Sequence, residues 1–128
     1  MFKKPANVQS LFTYLIPNWF WACVCWTPQG RRDKNTEIVK RAIMENNVDI
    51  WTHPNRYFRV NVVEVAKICA ERGTLIELNG KSISFRPIDF ERMIAVGAKF
   101  IINSDAHRVQ SIGKVDKVLE FLKLSSRK

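Results

Sequence analysis

The segment FIINSDAHRV, residues 100–109, changes abruptly from apolar to polar side chains. Its apolar part, FII, is typical of a strand that is buried on both faces of a parallel sheet, because such strands form continuous apolar runs. Asp105 and His107 follow within the same segment. The other histidine of the chain, His53, has a similar setting, since it follows VDIW in the stretch VDIWTHPN. The segment therefore predicts a strand that ends at a polar site.

Strand-like and helix-like segments alternate along the chain from residue 33 onward. The predicted strands are VDIWT, TLIELN and KFIINS, and they start about 25 residues apart. The predicted helices are NTEIVKRAIMENN, NVVEVAKICAERG, RPIDFERMIAVG and KVDKVLEFLKL. This alternation is the signature of βαβ units, which build a parallel sheet. The sequence therefore predicts an α/β fold with parallel strands and alternating helices.

The helices carry recognisable end signals and apolar stripes. Asn61 and Gly73 are the predicted start and stop of NVVEVAKICAERG, Thr36 is the predicted cap of the first helix, and Pro87 and Gly97 bound the third. The predicted stripes are Val62, Val65, Ala66 and Cys69 in the second helix, Phe90, Met93 and Ile94 in the third, and Val115, Val118, Leu119 and Leu122 in the last. These stripes predict the core.

The composition limits the class of protein. The chain has 128 residues, of which 46% are hydrophobic, and this excludes a disordered chain and suits one domain. The formal charge of +9 suits nucleic acid, an anionic membrane or a phosphorylated small molecule, and does not choose among them. Cys23, Cys25 and Cys69 form no disulfide framework, which predicts a reducing cytoplasmic location. No second Cys or His pair lies near Cys23 and Cys25 to complete a zinc site.

Residues 1–32 differ from the remainder of the sequence. They contain three of the four tryptophans and no acidic residue. We interpret them as an atypical hydrophobic N-terminal segment that packs on a β/α domain formed by residues 33–128. The uncharged run at residues 11–26 is short for a transmembrane span. Contact with a membrane interface is the alternative, since tryptophan favours that location.

Four polar residues lie just past predicted strands: His53, Asn79, Asp105 and His107. Because the carboxyl ends of parallel strands meet at one edge of a sheet, we expect these side chains to lie in one crevice. Pro54 favours an extended backbone at His53, and an extended chain would place Asp105 and His107 on the same side. Carboxylate and imidazole together suit zinc, manganese or iron. The alternative interpretation is a simple turn at His53 and a helix cap at Asp105.

VDIWTHP, LIELNGKS and FIINSDAH, in this order and with helices between them, resemble the later motifs of the PHP family (polymerase and histidinol phosphatase). The resemblance covers about residues 35–124, and Ser104-Asp105-Ala106-His107 is its most specific part. It implies a distorted, seven-stranded β/α barrel of which this chain holds a part. It also implies a metal-dependent phosphoesterase, with a phosphomonoester such as histidinol phosphate as the substrate.

The resemblance also implies roles for single residues. His53, Asp105 and His107 match metal ligands of the family, so divalent zinc, manganese or iron ions are the expected cofactors. No catalytic acid or base is assigned.

Three further residues belong to the predicted site without being metal ligands. Glu77 and Asn79 match a Glu-x-Asn strand near the site of the family. The carboxylate of Glu77 would be costly to bury alone, so it either supports the ligands by hydrogen bonds or pairs with a structural Arg or Lys. Arg108 is either a surface residue or a group that holds a substrate phosphate.

The sequence also departs from the family. PHP proteins carry a His-x-His motif, further histidines and a bridging glutamate before the His-Pro motif, whereas this chain has no histidine before His53 and no acidic residue before Asp33. We therefore expect the C-terminal part of a PHP domain, from a truncated or split enzyme, with incomplete metal occupancy and little activity alone. A homodimer or a complementary chain would supply the missing half of the barrel and pair the free strand edges.

The basic charge and the segment Gly80-Lys81-Ser82 suggest two other functions. A non-catalytic basic module that binds nucleic acid or a partner chain is the alternative function, although the sequence shows no helix-turn-helix, RNA-binding or zinc-finger pattern. A phosphate-binding P-loop at Gly80-Lys81-Ser82 is excluded, because it needs a glycine at the position of Leu75.

Overall fold

The computed structural model of the protein describes residues 28–126. The hydrophobic run at residues 11–26, with Cys23 and Cys25, lies outside the described residues. The first described helix starts at Pro28 and continues past residue 33, where the composition changes. None of the described helices has the length and apolar character that crossing a membrane requires.

Helices and strands alternate through the described part of the chain. The helices are α1 (Pro28–Glu45), α2 (Val62–Arg72), α3 (Pro87–Ala95) and α4 (Asp116–Ser126). The strands are β1 (Ile50–Trp51), β2 (Leu75–Asn79) and β3 (Phe100–Asn103), and a single 3-10 turn (Val109–Ser111) precedes α4. The predicted α/β order is therefore confirmed, with β1 shorter than the VDIWT segment suggested.

The strands form a parallel sheet in the order β1-β2-β3. Trp51 of β1 pairs with Ile76 of β2, and Asn79 at the end of β2 pairs with Asn103 at the end of β3. The carboxyl ends of the strands therefore lie along one edge of the sheet. The loops that follow β1, β2 and β3 all start at this edge.

The two neighbouring strands β2 and β3 differ in burial. All residues of β2 after Leu75 are buried, including Glu77 and Asn79. In β3, Ile102 is 47% exposed. The prediction that FII is buried on both faces was wrong, because β3 is an edge strand of the sheet that the described residues form.

Helix α2 supplies the centre of the core, as its pattern predicted. Its stripe residues Val62, Val65, Ala66 and Cys69 are all buried. Asn61 caps the helix by accepting a hydrogen bond from the Glu64 N–H, and Gly73 ends it with φ 72°. This left-handed conformation suits glycine, which has no Cβ to clash.

The start of α1 and two stripe positions were predicted wrongly. Thr36 lies inside α1, where its hydroxyl donates to the Arg32 carbonyl at 2.6 Å and accepts from the Asn61 N–H at 2.8 Å, so it joins α1 to the start of α2. Ile94 and Leu119 are 50% and 49% exposed. Each directly follows a fully buried residue and lies at the border of the apolar face of its helix.

The thiol of Cys69 is expected to be unreactive in the folded protein. Burial raises its pKa from 9.0 to about 12, so the native thiol carries almost no thiolate at pH 8. Peptide mapping after alkylation should find the Cys69 peptide unlabelled in buffer and labelled in urea. Between pH 9.0 and about 12 the native state keeps a proton that the unfolded state releases, so this thiol lowers the stability as the pH rises through that range. Labelling of Cys69 at equal rates in buffer and in urea would contradict this prediction.

Candidate functional site

Three of the four residues predicted to share a crevice, His53, Asn79 and Asp105, lie together at the carboxyl edge of the sheet. His53 follows β1, Glu77 and Asn79 lie in the last part of β2, and Asp105 follows β3. Hydrogen bonds and one close pair of side chains connect these four residues. The parallel topology thus places the side chains together as expected from the sequence.

Glu77 is the centre of this group, and its side chain is buried, with 3% of the residue exposed. Its Oε1 accepts hydrogen bonds from the His53 backbone N–H at 3.2 Å and from Asn79 Nδ2 at 2.9 Å. Its Oε2 accepts from Asn103 Nδ2 at 2.9 Å. Of the two predicted roles for Glu77, the structure supports hydrogen bonding to the site, because its donors are amide N–H groups and not the side chain of an Arg or Lys.

The side chain of Asn79 forms hydrogen bonds with the Glu77 carboxylate and with the loop after β2. Its Oδ1 accepts from the backbone N–H groups of Lys81 at 2.8 Å and Ser82 at 3.3 Å, while its Nδ2 donates to Glu77. The same Nδ2 lies 3.3 Å from His53 Nδ1. Because an amide nitrogen can only donate, this contact favours a His53 ring whose proton is on Nε2.

His53 and Asp105 face each other across the crevice. His53 Nε2 lies 3.9 Å from Asp105 Oδ2, and both side chains are about three-quarters buried, with 23% and 24% exposed. Both backbones are left-handed, with φ 48° and 52°. Such conformations are costly for residues other than glycine and persist where the surrounding structure holds them, which is frequent at functional sites.

The predicted extended backbone at these positions was wrong. His53 enters a tight turn in which its carbonyl accepts from the Arg56 N–H at 3.2 Å, while Glu77 binds its N–H. These two hydrogen bonds outweigh the preference that Pro54 imposes. At the other strand, β3 ends at Asn103, and Asp105 lies beyond it with a left-handed φ of 52° and not in an extended segment.

His107 and Arg108 lie at the outer side of the group and are both exposed. His107 Nδ1 is 2.8 Å from the Asp105 carbonyl oxygen and also contacts Lys81 Nζ. Arg108 directly precedes the 3-10 turn, where its carbonyl accepts from the Ser111 N–H at 3.0 Å. The structure thus brings His53 and Asp105 together, whereas the side chains of His107 and Arg108 are exposed to solvent.

Two residues of this site were not identified from the sequence. Asn103 donates to Glu77, and Lys81 contacts His107. The signal for Asn103 was present, since it is the first polar residue after FII and the parallel register places it beside Asn79. Lys81 gave no such signal, because a lysine in a basic chain is unremarkable.

The described residues provide part of a coordination site for a divalent ion. A separation of 3.9 Å between His53 Nε2 and Asp105 Oδ2 is within the reach of two ligands on one ion, whose bonds are about 2.0–2.2 Å each. A neutral imidazole that binds an ion through Nε2 carries its proton on Nδ1, so the contact of Nδ1 with the Asn79 amide would have to change on metal binding. No cluster of three or more His, Cys, Asp or Glu side chains suited to a metal is found within residues 28–126. Two ligands are therefore available from this part of the chain, fewer than the three of a typical catalytic zinc site.

Fold and site together define an α/β protein with a polar cluster at the carboxyl edge of a parallel sheet. Its sequence is similar to several proteins named probable phosphatase. One from Thermoanaerobacter sp. (strain X514) is 29% identical over 109 residues, which are 78% of this chain and 44% of the relative. One from Clostridium novyi (strain NT) is 32% identical over 107 residues, 77% of this chain and 43% of the relative.

A third such protein extends the similarity along more of the chain. The probable phosphatase from Clostridium acetobutylicum is 27% identical over 127 residues, 92% of this chain and 51% of the relative. This chain therefore spans about half the length, or less, of the relatives described here. No protein-family model matches the sequence.

Proposed function

We propose that the protein is the C-terminal part of a PHP-like, metal-dependent phosphoesterase. The observation that carries the proposal is the facing pair of His53 Nε2 and Asp105 Oδ2 at the carboxyl edge of the sheet, backed by the buried Glu77. The similarity to proteins named probable phosphatase supports a phosphatase-like function. Histidinol phosphate and other small phosphomonoesters are the proposed substrates.

In this proposal His53 and Asp105 would hold a divalent ion, and the exposed His107 is not one of these two ligands. Such an ion polarises a phosphoryl oxygen and lowers the pKa of bound water. Glu77 acts as a positioning residue, because its bond to the His53 backbone N–H fixes the turn that presents the imidazole. The side-chain amide of Asn79 restrains the side chains of His53 and Glu77. Lys81, whose ammonium group contacts His107, and the exposed Arg108 are the cations proposed to attract a phosphate.

The remaining ligands are proposed to come from outside residues 28–126. A second copy of the chain or a complementary chain is the proposed source, and it would also bring strands that complete a barrel. β3 is suited to such pairing, because it is an edge strand of the described sheet and exposes Ile102. A pair of ligands alone binds an ion weakly, so we expect partial metal occupancy.

Manganese binding tests the two proposed ligands directly. His53→Ala and Asp105→Asn are each expected to weaken Mn²⁺ binding at least about tenfold in calorimetric titration, since each removes one of two donors. Asp49→Asn is the matched control, because Asp49 is exposed near the opposite end of β1. Equal affinities in all four proteins would show that this pair does not bind the metal.

A phosphatase assay on the same samples separates binding from turnover. With p-nitrophenyl phosphate and Mn²⁺ we expect little or no hydrolysis by the chain alone, because residues 28–126 provide fewer ligands than a catalytic metal site needs. Turnover that rises with protein concentration would support a site completed by a second copy. Robust turnover that survives His53→Ala would contradict the proposed site.

A further inference from the structure

A second polar concavity lies beside the candidate site, and we call it the arginine cleft. Its volume is about 490 Å³, within the range of small-molecule pockets. Segments from α1, the loop after β1, the loop after β2 and the first turn of α3 form its walls. The lining residues are Arg32, Asn55, Arg59, Ser84, Phe85, Arg86 and Asp89.

The charge of the arginine cleft is positive. Three basic residues, Arg32, Arg59 and Arg86, line it together with one acidic residue, Asp89. Arg86 donates two hydrogen bonds to Asp89, at 2.9 and 3.1 Å, and these lower the pKa of the carboxyl group. The cleft therefore keeps a net charge of two positive units when Asp89 is ionised. Guanidinium groups bind phosphate oxygens in pairs, which makes arginine well suited to phosphate recognition.

Hydrogen bonds join the segments that form the walls of the arginine cleft. Asn55 joins two walls, since its Nδ2 donates to the Ser84 carbonyl and its Oδ1 accepts from the Val60 N–H, both at 2.8 Å. Arg32 Nε donates to the Val60 carbonyl at 3.3 Å, and Asn35 Nδ2 donates to the Arg59 carbonyl at 3.3 Å. The cleft is thus formed before any ligand arrives, which reduces the cost of binding.

The residues that line the cleft do not include His53 or Asp105. Asn55 is the nearest connection, because it lies two residues after His53 in the same turn. A ligand in the cleft can therefore bind without a metal ion. Because Asp89 engages Arg86, Arg32 and Arg59 are the arginines proposed to bind phosphate, and a bidentate pair uses one arginine for each phosphate group.

We propose that the arginine cleft binds a small molecule that carries two adjacent phosphate groups. The volume of about 490 Å³ suits a small ligand, and Arg32 and Arg59 together favour two phosphate groups over one. This inference does not depend on the phosphoesterase function, because it uses none of the proposed metal ligands.

Pyrophosphate is the probe, titrated calorimetrically into the full chain in the presence of a chelator. Arg59→Gln is expected to weaken binding about tenfold, the scale of one lost charge-assisted interaction. The backbone carbonyl of Arg59, which binds Asn35, is unchanged by this substitution. Arg41→Gln is the matched control, because Arg41 is exposed on α1 and pairs with Glu45 outside the cleft. Asp89→Asn should strengthen binding several-fold, since it removes the only carboxylate in the lining.

Two further comparisons test whether pyrophosphate binds in the arginine cleft and which class of ligand the cleft accepts. Pyrophosphate affinity that is unchanged in Arg59→Gln, or that falls equally in Arg41→Gln, would overturn the proposal. His53→Ala should leave the affinity unchanged, so failure of the metal site and failure of the cleft are distinguishable. A single-stranded oligonucleotide that binds more tightly than pyrophosphate and loses affinity in Arg59→Gln would overturn the small-molecule assignment in favour of nucleic acid.

Discussion

Replacing Glu77 with glutamine is expected to lower the free energy of unfolding by about 2 kcal/mol, although the side chain barely changes in size. The carboxylate accepts from three N–H groups, those of His53, Asn79 and Asn103. Glutamine replaces one accepting oxygen with an NH₂ group, which then faces a donor and leaves it unsatisfied. The substitution also removes a buried negative charge, which is costly to desolvate, and this offsets part of the loss in the free energy of unfolding.

Urea unfolding of the variant measures the effect as a lower transition midpoint at an unchanged slope. Glu71→Gln is the matched control, because Glu71 is exposed in the last turn of α2 and its substitution should change little. If the urea midpoint of Glu77→Gln equalled that of the wild-type protein, the hydrogen bonds of the Glu77 carboxylate would not stabilise the site. The same variant should also bind Mn²⁺ more weakly, since the turn that carries His53 depends on Glu77.

The fold was predictable where a local pattern and the tertiary structure agree. The stripe of α2, its cap at Asn61 and its end at Gly73 follow directly from residue spacing. The parallel sheet followed from the strand–helix order, and it placed His53, Glu77, Asn79 and Asp105 at one edge. Each of these inferences uses only neighbours in sequence and the geometry of βαβ units.

The details that were missed depend on contacts between distant residues. The left-handed φ of His53 results from a hydrogen bond to Glu77, which lies in another strand. The exposure of Ile102 reflects the position of β3 in the sheet, which an apolar run cannot reveal. The arginine cleft is lined by residues from four segments, so no single stretch of the sequence predicts it. Burial and strand position are properties of the assembled chain, whereas periodicity reports only one element at a time.

Gly80 shows how a close backbone approach links stability to the candidate site. It follows β2 directly, and its N–H donates to the Asn103 carbonyl at 2.6 Å, just past the last pair of the β2–β3 ladder. A Cβ at this position would lie 2.9 Å from the Lys114 carbonyl oxygen and 2.9 Å from Ser104 Cα, and 3.0 Å from the Asn103 carbonyl oxygen. All three contacts are with backbone atoms, which cannot rotate away as a flexible side chain would.

Gly80→Ala is therefore expected to lower the free energy of unfolding by about 2–3 kcal/mol, the range for overpacking a close-packed position. Gly113→Ala provides a control that separates steric contact from backbone conformation. Gly113 has φ 77° and open space around its Cβ position, so its substitution should cost only the left-handed strain of about 1–2 kcal/mol. Urea unfolding of both variants gives the comparison. A Gly80→Ala variant no less stable than Gly113→Ala would show that the segments after β2 and β3 can move apart freely.

The same substitution should also disturb the candidate site. Moving the loop after β2 away from Asn103 would lengthen the 2.9 Å bond between Asn103 Nδ2 and Glu77, and Glu77 in turn holds the His53 turn. We therefore expect Gly80→Ala to weaken Mn²⁺ binding as well, whereas Gly113→Ala should leave the Mn²⁺ affinity unchanged. Reduced stability with unchanged Mn²⁺ affinity would separate the fold of this loop from the metal site, because the site would then not depend on the contact between Gly80 and β3.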